Sequence, residues 1–334
     1  MQRISIVVAL GMALACVTAQ AAERRLDKTF TVAPGGRLTV EADGSDIQVT
    51  GSDSNQVVVH VLMKGSEKTL DAMTLSAEQG VDGVAVVAKR HGSGWFSLWG
   101  NNEASITVVV PHRYNTNLRT SGGNIEVSQI EGEAEGETSG GDVRITKVGG
   151  PVEMKTSGGN MNVTEVAGNT RIHTSGGDIT VRSLKGELKA QTSGGDVRLE
   201  DIGGATTAAT SGGDVVASNI RGPTDLRSSG GSVKAEGIDG SIRASSSGGD
   251  VRVELIGANR GITTATTGGD IVMRVSRNIS GELDAATSGG SVTSDLPVTT
   301  TEAREKRLAG PINGGGAEIR ARTSGGSIRL QARD

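Results

Sequence analysis

Aromatic residues are scarce in this chain and are confined to its first third. The 334 residues include two Phe, two Trp and one Tyr. All of them precede residue 115: Phe30, Trp95, Phe96, Trp99 and Tyr114. Aromatic side chains normally supply much of the buried area of a core. Their absence excludes a core built on large rings beyond residue 115, so the core there must be narrow and filled by small or β-branched side chains.

Cysteine is almost absent as well. The one cysteine, Cys16, lies within residues 1–21, which have the features of a signal peptide: Arg3, an apolar run from Ile4 to Ala15, and the cleavage site Ala19-Gln20-Ala21. Cleavage there would leave a mature chain without disulfides in an oxidising compartment, so packing and hydrogen bonds alone must hold it together. As an alternative, Ala13-Leu14-Ala15-Cys16 resembles a lipoprotein signal, which would place a lipid on Cys16.

Long apolar runs and an excess of one charge are also missing. No stretch after residue 21 contains the roughly 18 apolar residues that a membrane-spanning helix needs. The formal net charge is −4, and the interleaved charges are typical of a solvated surface, not of a basic nucleic-acid-binding stripe. We therefore predict an exported protein of the periplasm or cell surface of a Gram-negative bacterium. We expect no transmembrane segment in the mature chain and no nucleic-acid partner.

Glycine, by contrast, is abundant and recurs at a fixed interval. Of the 51 glycines, many belong to a Ser-Gly-Gly phrase whose Gly-Gly pair begins at Gly122 and returns every 18 residues up to Gly248. Later pairs begin at Gly268, Gly289 and Gly325. A fixed period of this size predicts a stack of similar structural units, each too small to bury its own apolar face.

Within each period, apolar residues alternate with polar ones and form columns. One column follows the Gly-Gly pair by two positions and contains Ile125, Val143, Met161, Ile179, Val197, Val215, Val233, Val251 and Ile271. Another contains Ile130, Val148, Val166, Leu184, Ile202, Ile220, Ile238 and Ile256. The period of two predicts two short strands per coil, and the glycines predict corners whose backbone geometry glycine permits.

We therefore predict an all-β fold, a single-stranded parallel β-helix (β-solenoid) with 18-residue coils and right-handed winding, capped by an N-terminal β-strand module. Coils in such a stack lie about 4.8 Å apart. The predicted division of the chain is a signal peptide (1–21), an N-terminal β module and cap (22–118), regular repeats (119–294), an excursion loop (295–309), and a terminal coil with the C-terminal cap (310–334).

Several segments together resemble a bacterial putative adhesin domain family of unknown function. They are F-T-V-A-P-G-G-R-L-T-V-E, G-S-D-I-Q-V-T-G, I-T-V-V-V-P, the T-S-G-G-D-V coils, and G-P-I-N-G-G-G-A-E-I-R-A-R-T-S-G-G-S-I-R-L. The resemblance covers essentially the whole mature chain. It implies an exported, single-stranded parallel β-helix, and it brings no catalytic residues and no ligand with it.

The Gly-rich segment of residues 91–102 contains the candidate ligand-binding residues Trp95, Phe96 and Trp99. Exposed aromatic side chains on such a loop could stack on sugars or insert into a membrane surface. The alternative is that they cover the first coil as part of the N-terminal cap.

Acidic and amide residues directly follow the Gly-Gly pairs and form another column. Stacked carboxylates could bind calcium, with Asp178, Asp196 and Asp214 as the alternative metal site, although the chain lacks the second Gly-x-Asp of nonapeptide calcium solenoids. The interpretation that we favour is that Asp and Asn stabilise a tight turn. We predict no metal and no cofactor.

The Thr that precedes each Ser-Gly-Gly would suit an ice-binding array only if its side chain pointed outward. In the strand ending at Thr192, Leu188 and Ala190 alternate with Lys189 and Gln191, so the column of Thr side chains is expected to point inward or into the corner.

Signals of catalysis are poor. The four histidines His60, His91, His112 and His173 are scattered without the spacing of a metal site or a triad, and the coils are too tight for a polysaccharide-cleaving groove. We predict a non-enzymatic cell-envelope protein, an adhesin-like scaffold or binding rod whose partner is a cell-surface glycan, an envelope protein or another copy of itself. The alternative is a carbohydrate-binding or carbohydrate-active β-helix protein that uses the Trp95–Trp99 loop.

Overall fold

The structure, a computed structural model, describes residues 22–91 and 103–333. These residues form two long β-sheets and one short helix, α1 (Glu67–Asp71). Seven strands precede the regular part of the chain: β1 (Ala22–Thr31), β2 (Arg37–Ala42), β3 (Asp46–Ser52), β4 (Gln56–Gly65), β5 (Met73–Gln79), β6 (Gly83–Arg90) and β7 (Glu103–Pro111).

Each regular coil contributes one strand to each sheet. Sheet B receives β8 (Asn115–Thr120), β10 (Ala134–Thr138), β12 (Val152–Lys155), β14 (Thr170–His173), β16 (Leu188–Gln191), β18 (Thr206–Thr210), β20 (Thr224–Ser228), β22 (Ile242–Ser245) and β24 (Ile262–Ala265). Sheet A receives β9 (Ile125–Ile130), β11 (Val143–Val148), β13 (Met161–Val166), β15 (Ile179–Leu184), β17 (Val197–Ile202), β19 (Val215–Arg221), β21 (Val233–Asp239), β23 (Val251–Leu255) and β25 (Ile271–Ser276). Neighbouring coils pair in parallel at an 18-residue offset, as Val143 does with Met161. The predicted all-β solenoid is confirmed.

The core lies between the two sheets and is made of the predicted columns. The first column is fully buried from Ile125 to Ile271. The second is buried from Ile130 to Ile238, but Ile256 is 47% exposed and does not belong to the core. The pairing of β21 with β23 shifts register there, so that Leu255 takes the place opposite Ile238. The left-handed residue that precedes this column in the earlier coils, such as Asn219 or Gly237, has no counterpart in β23, so this strand reaches the column one residue earlier and Ile256 lies outside it.

The second glycine of each Gly-Gly pair is required by close packing between coils. A Cβ atom on Gly141 would lie 2.1 Å from the carbonyl oxygen of Gly123 in the preceding coil, whereas one on Gly140 would have no neighbour closer than 3.7 Å. Gly141 has no left-handed φ. The prediction that the corners need glycine therefore holds for a different reason, since the stacked backbones leave no room for a side chain.

A column of left-handed residues interrupts the pairing of the strands of sheet A. Six non-glycine residues have φ between 55° and 59°: Gln129, Lys147, Glu165, Ser183, Asp201 and Asn219. In the next coil the same position is Gly237, with φ of 66°. The left-handed conformation costs a residue with a Cβ about 1–2 kcal/mol. The stack therefore tolerates the same local strain in six successive coils.

Replacement of Lys147 by glycine is expected to stabilise the protein by about 0.5–1 kcal/mol, because the relief of strain exceeds the backbone entropy that glycine adds to the unfolded chain. The control is Thr146→Gly at the neighbouring position of the same strand, where φ is not left-handed and glycine should cost about 0.5–1 kcal/mol. Urea unfolding of both variants measures the difference. A Lys147→Gly protein less stable than the original would contradict the expectation.

At the N-terminal end, the spatial order of the coils differs from their order in the chain. Strands β2 and β3 lie between β8 and β9 on one side and β6 and β7 on the other. The antiparallel strands β4, β1 and β5 complete this end. The side chain of Arg24 donates to the carbonyl oxygens of Leu70 and Met73, and Lys28 donates to that of Ala77. Two cations of β1 thus cover main-chain groups of α1 and of β5, the strand at this end of sheet B.

The C-terminal end shows the same kind of exchange. Its strands are β26 (Gly281–Thr287), β27 (Val292–Ser294), β28 (Glu302–Arg304), β29 (Arg307–Ile312), β30 (Glu318–Thr323) and β31 (Ile328–Arg333). Strand β30 pairs with β24 on one side and β26 on the other, and β31 lies likewise between β25 and β27. The last coil of the chain is therefore inserted beneath the coil that precedes it, and the β28–β29 hairpin pairs with β26.

Candidate ligand-binding surface

The predicted aromatic site cannot be placed in the fold. Trp95, Phe96 and Trp99 fall within residues 92–102, outside the described residues. Their role as ligand-binding residues stays a prediction.

The column of Asp and Asn residues links neighbouring coils through their main chains. Asp178 Oδ1 accepts a hydrogen bond from the N–H of Asp196 at 2.8 Å, and Asp196 Oδ1 accepts one from the N–H of Asp214 at 2.8 Å. Arg198 Nη2 lies 2.8 Å from Asp196 Oδ2, and its Nη1 lies 3.7 Å from Asp178 Oδ2. One oxygen of each carboxylate is thus bound to backbone and a cation offsets the charge, which supports a role in the turn. Calcium binding at Asp178, Asp196 and Asp214 stays a prediction.

The Thr column points inward, as its alternation predicted. Thr174 is fully buried; its hydroxyl donates to the carbonyl oxygen of Gly159 at 2.9 Å and accepts from the N–H of Gly177 at 3.3 Å. The same pair of bonds is repeated in the neighbouring coils, for example at Thr156 and Thr192. These hydroxyls hydrogen-bond each corner to the corner of the preceding coil and are not available to a ligand.

The outer faces of the sheets carry ion pairs between successive coils. Examples are Arg171 with Glu153 at 3.8 Å and Arg182 with Glu200 at 3.1 Å. Within residues 22–91 and 103–333, no group of three or more His, Cys, Asp or Glu side chains is placed to hold a metal ion. No helix in these ranges is long and apolar enough to cross a bilayer.

Tyr114 is the one aromatic side chain that the structure places fully in the core. Its ring lies against Gly36 and its hydroxyl against Gly83, so that a Cβ on either glycine would collide with it. Burial raises the pKa of the Tyr114 phenol above its ordinary value, and proximity to the Val84 backbone offsets part of this effect. The neutral phenol is therefore favoured in the folded protein.

We expect the phenol to titrate at higher pH in the folded than in the unfolded protein. Because the folded pKa is the higher one, its contribution to stability is complete below about pH 10, the ordinary tyrosine pKa, and is lost as the pH rises through the folded value. Tyrosinate absorbance can measure this at a single site, since the chain has one Tyr. The same titration in urea provides the reference, and Tyr114→Phe should remove the signal. Equal pKa values with and without urea would contradict the prediction.

A groove of 380 Å³ lies on sheet B where four successive strands, β18, β20, β22 and β24, begin. Four outward side chains follow one another along it in register: Thr207, Asp225, Arg243 and Thr263. The residues that enter the four strands are small or compact: Ala205, Pro223, Ser241 and Gly261. At about 4.8 Å per coil, the four coils span about 14 Å along the stack.

The sequence reasoning did not find this groove. The residue that enters each strand of sheet B is Glu133, Pro151, Asn169 and Glu187 in the earlier coils. The signal in the sequence that could have indicated the groove is the succession of compact residues at this position, from Ala205 to Gly261. It is weak without the fold, because a small residue at a corner is equally expected for a tight turn.

Comparison with known proteins agrees with the sequence resemblance. The profile of the family described as Toastrack DUF4097 matches residues 36–221 and 205–331. No curated protein matches the chain.

The solved structures that the chain matches have low sequence identity to it. One is a putative lipid binding protein from Parabacteroides distasonis ATCC 8503, 13% identical over 94% of this chain and 97% of that chain, with a TM-score of 0.36. A putative adhesin from Parabacteroides merdae ATCC 43184 is 10% identical over 77% and 97%, with a TM-score of 0.33. A putative adhesin from Bacteroides fragilis NCTC 9343 is 14% identical over 92% and 97%, with a TM-score of 0.24. Superposition at these scores is poor.

Proposed function

The chain belongs to the Toastrack DUF4097 family, and from this premise we propose that it is a non-enzymatic rod, exported to the cell envelope, that holds a binding partner on its surface. In this proposal residues 1–21 are removed on export, residues 22–118 cap one end, and residues 119–294 form the rod. Residues 295–309 and 310–334 complete the other end, with the last coil inserted into the stack and the β28–β29 hairpin on its outer side. The partner class that we propose is a cell-surface glycan.

The observation that carries the proposal is the uniform, tight construction of the coils. At each Thr-Ser-Gly-Gly corner, a buried hydroxyl donates a hydrogen bond to the preceding coil, as Thr174 does to the carbonyl oxygen of Gly159. The second glycine of each pair packs against the equivalent glycine of the preceding coil, as Gly177 does against Gly159. Corners of this kind leave no long loops in the regular part, so its accessible surface consists of the two sheet faces and the compact corners between them. A rigid face with regularly spaced polar side chains supports binding along the rod.

The proposal is tested by producing the full-length chain in a Gram-negative host and following its location and activity. We expect the protein in the periplasmic or surface fraction, cosedimentation with insoluble cell-envelope polysaccharide, and no release of sugars from a panel of polysaccharides. A chain without residues 1–21 should remain in the cytoplasm and serves as the control for export. Sugar release by the purified protein, or retention of the full-length chain in the cytoplasm, would overturn the proposal.

The alternative use of the Trp95–Trp99 loop is tested in the same assay. If that loop holds the glycan, the double variant Trp95→Ala/Trp99→Ala should lose cosedimentation while remaining folded. Unchanged cosedimentation would exclude the loop as the binding site and leave the sheet faces.

A further inference from the structure

We infer that the groove on sheet B binds an acidic oligosaccharide, with Arg243 as the residue that holds a sugar carboxylate. The inference rests on the proposed binding role of the rod and specifies its site and the class of its partner. It is carried by the charge balance in the groove, by the free hydroxyl groups around Arg243, and by the pairing of the strands beneath.

The charge balance in the groove is set by a pair of neighbouring residues. Asp225 lies beside Arg243 in the register of the sheet, yet its carboxylate is engaged at both oxygens by Arg227, at 2.9 and 2.6 Å. The side chain of Arg243 is exposed and forms no hydrogen bond or ion pair within residues 22–91 and 103–333. Because Arg227 neutralises Asp225, the groove presents one unpaired guanidinium, which favours an anionic group of a ligand.

The other polar groups in the groove suit a sugar. The hydroxyls of Thr207, Ser241 and Thr263 line it, and none of them makes a hydrogen bond within the described part of the chain. Each hydroxyl can both donate and accept. Hydroxyl groups on both sides of a guanidinium match a ligand that carries carboxylate and hydroxyl groups along its length.

The strands beneath the groove argue against a peptide as the occupant. Strands β18, β20, β22 and β24 pair with a neighbour on both sides, so their main chains offer no free edge to which an extended peptide could add. Nucleic acid is disfavoured by the net charge of −4 and by the lack of aromatic residues after Tyr114 on which bases could stack. A glycan needs neither a free strand edge nor a basic stripe.

Binding of tetragalacturonate to the exported, purified protein tests this inference by isothermal titration calorimetry. We expect Arg243→Gln to weaken the affinity about tenfold or more, the loss typical of a charge-assisted contact. Ser241→Glu, which places a carboxylate in the groove, should have a similar effect. Arg171→Gln is the matched control, because Arg171 has the same position in sheet B but is paired with Glu153, and it should leave the affinity unchanged.

Two further ligands define the class of the partner. Maltotetraose, a neutral oligosaccharide of equal length, should bind about tenfold or more weakly than tetragalacturonate. The affinity for polyglutamate should be the same in the original protein and in Arg243→Gln. No binding of tetragalacturonate, binding unaffected by Arg243→Gln, or binding of polyglutamate that is lost in Arg243→Gln would overturn the inference. Cosedimentation with envelope polysaccharide in the Arg243→Gln variant would overturn it too, while the proposed function of the rod would stand.

Discussion

We expect a chain without residues 317–334 to lack a stable C-terminal end, whereas a chain without residues 159–176 should remain folded. The two deletions have the same length, and each removes one coil. Their effects differ because β30 and β31 are inserted between two other coils. Without them, the coil of β26 and β27 loses its parallel partners in both sheets.

Several contacts disappear together in the C-terminal deletion. The buried side chains of Ile319, Ile328 and Leu330 are each worth about 1.5–3 kcal/mol. Burial alone would raise the pKa of Asp284, but the hydrogen bond and charge of Arg322 hold it below its usual value, together with the charges of Arg307 and Arg320. The deletion removes both Arg320 and Arg322. The unpaired strands β24 and β25 would then present open edges that favour aggregation.

The internal deletion joins Gly158 to Gly177 and keeps the corner sequence. Strand β11 can then pair with β15, and β12 with β16, in the register that each already uses with its present neighbour. In a stack whose stability is a sum of units and nearest-neighbour contacts, the loss of one internal coil is tolerated. Size-exclusion chromatography, circular dichroism and thermal unfolding of both deletions measure the outcome. If the variant without residues 317–334 were soluble and as thermally stable as the variant without residues 159–176, the inserted coil would be dispensable.

Gly141→Ala is expected to destabilise the protein by about 3 kcal/mol or more. The added Cβ would lie 2.1 Å from the carbonyl oxygen and 2.4 Å from the carbonyl carbon of Gly123. Both are backbone atoms, and the Thr138 hydroxyl holds the same carbonyl oxygen at 2.8 Å. The coils must therefore separate locally, which places the effect at the upper end of the usual cost of overpacking.

Gly140→Ala is the control, because the added Cβ would meet nothing closer than 3.7 Å. The change in stability should lie within about 0.5 kcal/mol. Urea unfolding, followed by circular dichroism, compares the midpoints of the two variants with that of the original chain. If both alanines had equal effects, the corner would be governed by the backbone freedom of glycine and not by the close approach of the coils.

The sequence by itself determined the regular part of this protein. The 18-residue period, the alternation of apolar residues and the inward Thr column each repeat in coil after coil, so the columns from Ile125 to Ile271 could be assigned to the core without coordinates. Repetition makes such assignments secure, because every coil has the same neighbours and the local pattern contains nearly all the information that packing uses. Where the period changed, at Ile256, the assignment from the column was wrong.

The tertiary structure alone decided the order of coils at the two ends, the reason for the corner glycines and the place of the groove. The step from Gly289 to Gly325 is twice the 18-residue period. This spacing is the same whether the last coil lies at the end of the stack or between two earlier coils, so the sequence alone could not show that it is inserted. The clash at Gly141 involves a backbone atom 18 residues away, and the unpaired charge of Arg243 depends on Arg227 engaging Asp225. Each of these features arises from contacts between coils, whose geometry is set by the stack as a whole and not by the residues next in the chain.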